Sequence, residues 1–360
     1  MRIGLVCPYS LTVPGGVQNQ VMALARSLRA RGHEARVLGP CDGPPPDAFV
    51  TPLGASVRQP TNGSVAPIAP DPAAQMRTIR AMWDEDFDVL HMHEPLVPGP
   101  ALTALMLHSA PCVGTFHAAG QQPAYGALGP LVRWASKRLD AKVVVSADAR
   151  ELVETHIEGP FVELFNGIEL GPLVSADPWP TEAPTIFFLG RHEPRKGLSV
   201  LLDAVAELPH DVRVWVAGEG DATAQLRRRH PDSRIEWLGR ISDDERDRRL
   251  AGADLFCAPS LGGESFGIIL LEAMAAGTPV VASNIGGYAK VAGDAASLVQ
   301  PGDAGALAGA IRGILCSEAR AAELTELGRR RAEAFDIARL ADSYEDIYRE
   351  LATAPAPAPA

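Results

Sequence analysis

The chain has 360 residues, the length of about two ordinary domains, with 33 Lys and Arg against 44 Asp and Glu for a net charge of −11. A hydrophobic fraction of 46% beside 21% charged residues is the composition of a chain that buries a core, which excludes disorder for its bulk. The acidic balance argues against a nucleic-acid partner, because duplex phosphates reward a basic protein, and no apolar run reaches the roughly 18 residues a spanning helix needs.

In chain order, the first element is the apolar run over 3–7. It is too short for a signal-peptide core and its flanks are wrong for one, so it reads as a buried first strand and no secretion is expected. Further strands are expected over 35–38, 89–93, 112–116 and 142–146, with helices over 16–31 and 75–83. Four prolines over 171–184 suit a linker. The pattern then repeats, with strands over 186–189, 212–217, 235–238, 255–258 and 280–282 and helices over 198–207, 221–229, 266–276, 305–316 and 319–334. The run over 337–352 sets Leu340, Tyr344, Ile347, Tyr348 and Leu351 on one side of a helix expected to cross back to the first domain. The Ala/Pro tail over 353–360 is expected to be disordered. Continuous apolar strands alternating with helices imply parallel sheets covered on both faces. The fold class is therefore α/β: two doubly wound, Rossmann-like domains, over 1–170 and 185–336, facing across a cleft.

Ligands of such sheets bind outside the carboxyl ends of the strands, so the loops after strands matter most. After the first strand, Gly15 and Gly16 open a helix whose free N–H groups attract an anion, although such glycines also serve as plain turn-formers. After the first strand of the second half comes Gly190-Arg191-His192-Glu193-Pro194-Arg195-Lys196-Gly197. The planar fork of Arg191 and the point charge of Lys196 together suit a diphosphate; the bland alternative is a solvated basic turn. The most specific segment runs from Gly262 to Val281. Glu264 lies in its loop, where it can accept from sugar hydroxyls, and a helix from near Ser265 carries Glu272 among apolar neighbours. A carboxylate in that setting needs a donor; alone it reads as a buried ion pair.

These motifs resemble the retaining glycosyltransferases of family 4, which have the GT-B fold. The stretches V-P-G-G-V-Q, F-D-V-L-H-M-H-E-P, T-F-H, G-R-x-x-P-R-K-G and the E-x7-E pair Glu264…Glu272 extend the resemblance from Met1 to about Leu351. They point to the branch that uses GDP-mannose and a phosphatidylinositol-type lipid acceptor. The resemblance implies that Gly15 and Gly16 lie against the donor diphosphate, that Arg191 and Lys196 neutralise it, and that Glu264 holds the donor sugar. It further puts the amides of Phe266, Gly267 and Ile268 near sugar and phosphate, Glu272 on the ribose, the base near Arg240 and Ile241, and His117 facing the sugar. Retention, with the departing phosphate taking the acceptor's proton, is likewise implied. No metal and no tightly bound cofactor is required.

For the acceptor, the same resemblance assigns Tyr9, Asn62 and Ser64 to an inositol-phosphate floor. One departure stands out: where those relatives carry an arginine, this chain has Pro67. The helix over 75–83, with Met76, Ile79, Met82 and Trp83 against only Arg77 and Arg80, is expected to face a membrane weakly, since each basic residue contributes about 1 kcal/mol at an anionic surface. A second patch around Arg133, Trp134, Lys137 and Arg138 reads equally well as a solvated helix face.

Other candidates are set aside. Cys7, Cys41, Cys112, Cys257 and Cys316 form no C-x-x-C pair and read as free thiols in a reducing cytoplasm. The acidic run over 84–88 matches a D-x-D string but precedes a strand, at the wrong end for the site. His91 and His93 alternate on one strand face, with no third metal ligand suggested nearby. Arginines over 227–249 are interleaved with acids, a mixed-charge surface and no nucleic-acid site. The expected protein is a cytoplasmic transferase at the inner membrane face, its oligomeric state left open. Rival readings are a family-4 enzyme with another nucleotide sugar or a small soluble or glycolipid acceptor, and a non-catalytic sensor of sugar nucleotides or lipid. Residues 1–172 carry 13 basic and 16 acidic side chains, a net of −3, leaving −8 for the half expected to bind the nucleotide.

Overall fold

The computed structural model describes residues 1–61, 64–118, 129–264 and 266–353, with backbone alone at 60, 61, 64 and 65. The chain divides into two compact units, Met1–Gly167 joined by the chain from Ile337 on, and Ile168–Asp336. The fold is α/β, as the alternation of strand and helix implies.

The first unit runs β1 (Arg2–Val6), α1 (Gly16–Ala30), β2 (Glu34–Gly39), β3 (Val50–Pro52), β4 (Val57–Thr61), β5 (Ser64–Ile68), α2 (Pro72–Asp84), β6 (Val89–His93), α3 (Pro100–Leu107), β7 (Cys112–Phe116), α4 (Gly129–Ser136), β8 (Ala141–Val144), α5 (Ala147–Glu154) and β9 (Val162–Glu163). Seven of these strands form one sheet in the order β3-β2-β1-β6-β7-β8-β9, parallel throughout, while β4 and β5 pair as an antiparallel hairpin. That hairpin, β3 and β9 are absent from the sequence expectation: each is short or polar, too weak in period-2 signal to register. The hairpin is tied to the loop after β1 by a Tyr9–Ile68 bridge and by the Ser10 N–H donating to the Pro67 carbonyl at 2.8 Å.

The second unit runs α6 (Leu170–Val174), β10 (Thr185–Leu189), a 3₁₀ turn (Pro194–Lys196), α7 (Leu198–Val205), β11 (Arg213–Ala217), α8 (Thr223–Arg229), β12 (Ile235–Gly239), α9 (Asp243–Gly252), β13 (Leu255–Ala258), α10 (Ile268–Ala275), β14 (Val280–Ser283), α11 (Gly286–Ala292), β15 (Ser297–Val299), α12 (Ala304–Leu315) and α13 (Glu318–Glu333). Its sheet is also parallel, in the order β12-β11-β10-β13-β14-β15. Helix α9 escapes a periodicity search because Asp-Asp-Glu-Arg-Asp-Arg-Arg is polar all round. Its signal is local: the Ser242 hydroxyl caps the helix by accepting from the Glu245 N–H at 3.1 Å.

Each sheet is buried on both faces because side chains alternate. Ile186 and Phe188 enter one core and Phe187, with Trp215 and Phe256, the other. The segment 171–184 is not a free linker. Leu173 is buried, the Trp179 N–H donates to the Arg248 carbonyl at 2.8 Å, and the guanidiniums of Arg248 and Arg249 lie over the Trp179 ring. Its prolines end the helix without freeing the chain.

The last helix, α14 (Ile337–Thr353), belongs to the first unit, where Leu340, Ala341, Tyr344 and Tyr348 bury their apolar stripe with α1. Its return is close-packed: a Cβ on Gly167 would sit 2.7 Å from the Cα of Ile337. The Tyr348 hydroxyl lies 2.6 Å from His91 Nδ1 and the Tyr344 hydroxyl 2.8 Å from Thr115 Oγ1. Arg31 pairs with Asp342, and His33 meets Glu345 at 2.6 Å. Among the described residues no helix is long and apolar enough to cross a membrane.

Removing the Tyr348 hydroxyl leaves a buried imidazole nitrogen without its partner. Tyr348→Phe should therefore lower unfolding stability by about 1–3 kcal/mol, read as a shift in the urea midpoint; an unchanged midpoint would show that the bond contributes nothing to holding α14.

Candidate active site

In each sheet the chain moves outward on one side and then returns on the other. The first unit goes β1, β2, β3 and comes back beside β1 at β6; the second goes β10, β11, β12 and comes back beside β10 at β13. The crevice of such a sheet lies outside the carboxyl ends at that reversal. Tyr9, Gly15 and Gly16 follow β1, Glu94 follows β6, Arg191 and Lys196 follow β10, and Glu264 to Ile268 follow β13. The topology thus gathers Tyr9, Gly15, Gly16 and Glu94 at one reversal point and Arg191, Lys196 and the Glu264 loop at the other; His117 follows β7, and Arg240 and Ile241 follow β12, away from the reversals.

In the second unit the two loops touch. Gly197 has φ +67°, and a Cβ there would lie 1.8 Å from the Pro259 carbonyl oxygen, so only glycine permits this approach. The Leu261 N–H donates to the Arg195 carbonyl at 2.7 Å. Lys196 Nζ reaches Glu264 Oε1 at 2.6 Å and Arg195 reaches the same oxygen at 3.0 Å. Glu193 links Arg195, at 3.0 Å, to Arg191, at 2.9 Å. Three cations and two carboxylates leave a local charge of +1. The Ser260 hydroxyl donates to Glu264 at 3.5 Å and lies 3.0 Å from the buried Tyr288 hydroxyl. Gly267, at φ +103°, caps α10, and a Cβ there would meet the Tyr288 ring at 2.8 Å. The helix proper opens at Ile268, behind Phe266 and Gly267; Ser265 lies outside the described residues.

Glu272 lies in the second turn of α10. Burial pushes its carboxyl up to about 7, against the Arg246 guanidinium 3.9 Å away. Arg246 also holds Asp247 at 2.8 Å and Asp243 at 3.0 Å, so Glu272 has only a share in that cation. Arg240, exposed beside Gly239 at φ +69°, sits 3.5 Å from Glu219, and Ile241 packs partly into the core. The arginines of this region are largely committed to acids, Arg234 to Asp232 and Arg249 to Glu245, in keeping with a mixed-charge surface.

In the first unit, Gln18 donates to the Ser10 and Val13 carbonyls at 3.3 and 3.1 Å and fixes the loop ahead of α1. Gly15 is extended and Gly16 faces open space, so neither is demanded by the backbone; what they give is a bare helix N-terminus. His117 does not stand alone. It is buried, and its Nε2 is 2.8 Å from His93 Nδ1. It is therefore the third histidine beside the His91–His93 pair, which the sequence reading lacked. His91 spends both nitrogens on hydroxyls, Tyr348 and Thr115, which leaves none for a metal. Burial drives His91 to about 3, His117 to about 4 and His93 well below its usual value, so all three rings are neutral near pH 7. Among the described residues, His93 Nε2 and Asn166 Oδ1 are buried and have no hydrogen-bond partner.

Glu94 is the main residue the sequence reading passed over. It holds φ +49°, and its Oε1 accepts the N–H groups of His117 and Ala118 at 2.7 and 2.6 Å. Burial raises its carboxyl to about 7 although both N–H groups oppose this. The strand-end position of His93-Glu94-Pro95 was the available signal. Tyr9 is partly buried, and Glu94 and burial both raise its phenol. Asn62 lies outside the described residues, as does the side chain of Ser64. On α2, Met76 is 62% and Trp83 77% exposed, but Met82 is buried at 4% and cannot face a membrane. Leu131 and Trp134 of α4 are exposed too, and Arg138 lies over the Trp134 ring.

Comparison with known proteins fits this geometry. The family described as "Glycosyltransferase Family 4" matches residues 14–171, and that described as "Glycosyl transferases group 1" matches 183–317. The chain is 39% identical to the phosphatidyl-myo-inositol mannosyltransferase of Mycobacterium leprae, over 98% of each chain. It is 41% identical to the protein of that name from Mycolicibacterium smegmatis, over 88% of this chain and 85% of the other. Among solved structures, Anabaena HepE in complex with UDP-glucose superposes with a TM-score of 0.76 at 19% identity, over 98% of this chain and all of that one.

Glu94 makes the first unit's stability depend on pH. Its pKa is raised on folding from an ordinary 4.5 to about 7, so its contribution is full below pH 4.5 and is lost as pH rises through 7. The three histidines act in reverse: depressed from 6.5, they favour the fold increasingly as pH rises to that value. Glu94→Gln keeps an acceptor for both N–H groups and deletes only the first effect. Between pH 4.5 and 7 its urea midpoint should climb more steeply than that of the unaltered protein; equal slopes would mean that Glu94 is ionised throughout.

Proposed function

The chain belongs to glycosyltransferase family 4, and from that premise we propose that it moves mannose from GDP-mannose to a phosphatidylinositol-type lipid, with retention, at the cytoplasmic face of the membrane. The observation that carries this reading is the convergence of Lys196 and Arg195 on Glu264 where the β10 and β13 loops meet. A diphosphate beside Arg191 and Lys196 competes with Glu264 for the ammonium. As the donor binds, the carboxylate is released from Lys196 and accepts from the sugar hydroxyls. The two cations and the amides of Phe266, Gly267 and Ile268 then meet the charge that grows on the leaving phosphate. That phosphate oxygen takes the proton of the attacking hydroxyl, so no separate base is needed. With these cations as counter-charge, the transfer proceeds without a metal. In the first unit, Gly15 and Gly16 leave the α1 N-terminus open to an anion, and His117, neutral, has hydrogen bonds and not charge to offer a sugar; in the second, Glu272 and the Arg240–Ile241 turn are assigned to the nucleoside.

The acceptor reading draws support from the hairpin. Arg58 of β4 is the direct cross-strand partner of Pro67, so both side chains project from one face. Arg58 is exposed and returns a cation to the place where Pro67 removes one. Tyr9, bridged to the same hairpin at Ile68, is the described member of the acceptor floor assigned to Tyr9, Asn62 and Ser64. Met76 and Trp83 with Arg77 and Arg80 give a small membrane-facing patch, suited to weak peripheral contact. A second reading keeps the chemistry and changes the acceptor to a soluble alcohol or another glycolipid, or the donor to another nucleotide sugar; Pro67 is the feature that favours it.

With labelled GDP-mannose and vesicles containing phosphatidylinositol, its mannosides, or free inositol, label should enter a phosphatidylinositol lipid. Transfer to none of them would remove the lipid reading. Lys196→Ala and Glu264→Ala should each cut kcat by about 10²–10³-fold with the fold intact by circular dichroism; near-normal turnover would sink the donor site. Arg58→Ala should raise KM for the lipid while leaving KM for the donor unchanged, and an equal rise in both would reject the hairpin's role.

A further inference from the structure

We propose that His108, Cys112 and Asp140 form a zinc site at the amino ends of β7 and β8, the end of the first sheet away from its ligand-binding loops. One donor atom from each lies within 4.8 Å of the other two. His108 Nε2 and Asp140 Oδ2 are 3.2 Å apart, close to the roughly 3.3 Å between two ligands that each bind zinc at about 2.0 Å in tetrahedral geometry.

The backbone sets all three. The Cys112 N–H donates to Asp140 Oδ2 at 2.7 Å, and the Asp140 N–H returns to the Cys112 carbonyl at 2.8 Å. His108 ends α3 in the left-handed region at φ 49°. Among the described residues only Glu94 and His108 hold a positive φ without being glycine, and such backbone persists where its surroundings over-determine it. A surface ion pair would account for His108 and Asp140, but it has no use for the third donor or for the strained turn.

The donor set indicates the metal. Thiolate, imidazole and carboxylate together suit zinc, and a thiolate disfavours magnesium and calcium. The thiol is fully buried, while the side chains of His108 and Asp140 are 26% and 33% exposed, so an ion enters from solvent and keeps a water as its fourth ligand. Binding breaks the hydrogen bond from the Cys112 thiol to the Ala110 carbonyl, at 3.2 Å, and releases the thiol proton to solvent as the sulfur–metal bond forms. Burial and Asp140 hold that thiol protonated without a metal, whereas Arg138 favours its ionisation. The ion would join the turn after α3 to the start of β8, at the root of the strand that carries Thr115 toward His117. This site stands apart from the transfer chemistry and neither depends on the other.

The test is a Co²⁺ titration of the full-length chain after chelator treatment. One equivalent should produce the near-ultraviolet thiolate-to-cobalt absorption together with the visible bands of a tetrahedral ion, and Zn²⁺ should abolish both. Cys112→Ser should lose the thiolate band; the exposed Cys316→Ser should keep it. His108→Gln should weaken binding by at least about 100-fold, with the fold checked by circular dichroism, since even loss of an outer-shell partner costs 10–100-fold. No thiolate band at millimolar Co²⁺, or one that persists undiminished in His108→Gln, would overturn the proposal.

Discussion

Everything in the second unit depends on one close approach, Gly197 against the Pro259 carbonyl. At 1.8 Å for a hypothetical Cβ, no other residue lets the β10 loop lie on the β13 loop. That contact puts Lys196 and Arg195 within hydrogen-bond reach of Glu264 and threads Glu193 between Arg195 and Arg191. The carboxylate proposed for sugar hydroxyls and the cations proposed for phosphate thereby satisfy one another. The ion pairs are partly shielded, so they fix the side chains more than exposed pairs would.

The first unit solves a different problem, holding polar groups in a buried place. His91, His93 and His117 stack along the carboxyl end of the sheet; the hydroxyls of Tyr348 and Thr115 take up the two nitrogens of His91, and Tyr344 bonds Thr115 in turn. Tyr344 and Tyr348 both come from α14, which thereby joins the histidine array. Glu94 closes the array through two backbone N–H groups. Burial keeps the rings neutral, so this surface can orient hydroxyls without adding charge to it.

Charge distribution explains why local geometry matters. The half of the sequence for which nucleotide binding is proposed carries the larger share of the negative charge, −8 against −3. Under that proposal bulk attraction would not recruit an anionic donor. The local +1 cluster of Arg191, Arg195 and Lys196 with Glu193 and Glu264 would do so against that background, while Asp232 and the acids of α9 hold Arg234, Arg246 and Arg249.

Strand and helix alternation, the reversal loops and the E-x7-E and G-R-x-x-P-R-K-G motifs were legible in the sequence because each is a local pattern: a period, a glycine, a charge at a fixed offset. By themselves they determined the α/β class and the family, and they singled out Arg191, Lys196 and Glu264 as candidate site residues. The polar helix α9 and the short hairpin were legible only through a cap or a turn, signals weaker than period. Tertiary structure alone decided that Arg195 shares Glu264 with Lys196, that Arg246 stands near Glu272, and that Arg58 faces Pro67. It also decided that His117 completes a histidine triplet whose backbone is held by Glu94, that Met82 is core and not membrane face, and that 171–184 packs against the second unit. The reason is physical. A side chain's partners come from strands and helices far away in the chain, and burial, which fixes the protonation of Glu94, Glu272 and the histidines, exists only once those elements have packed.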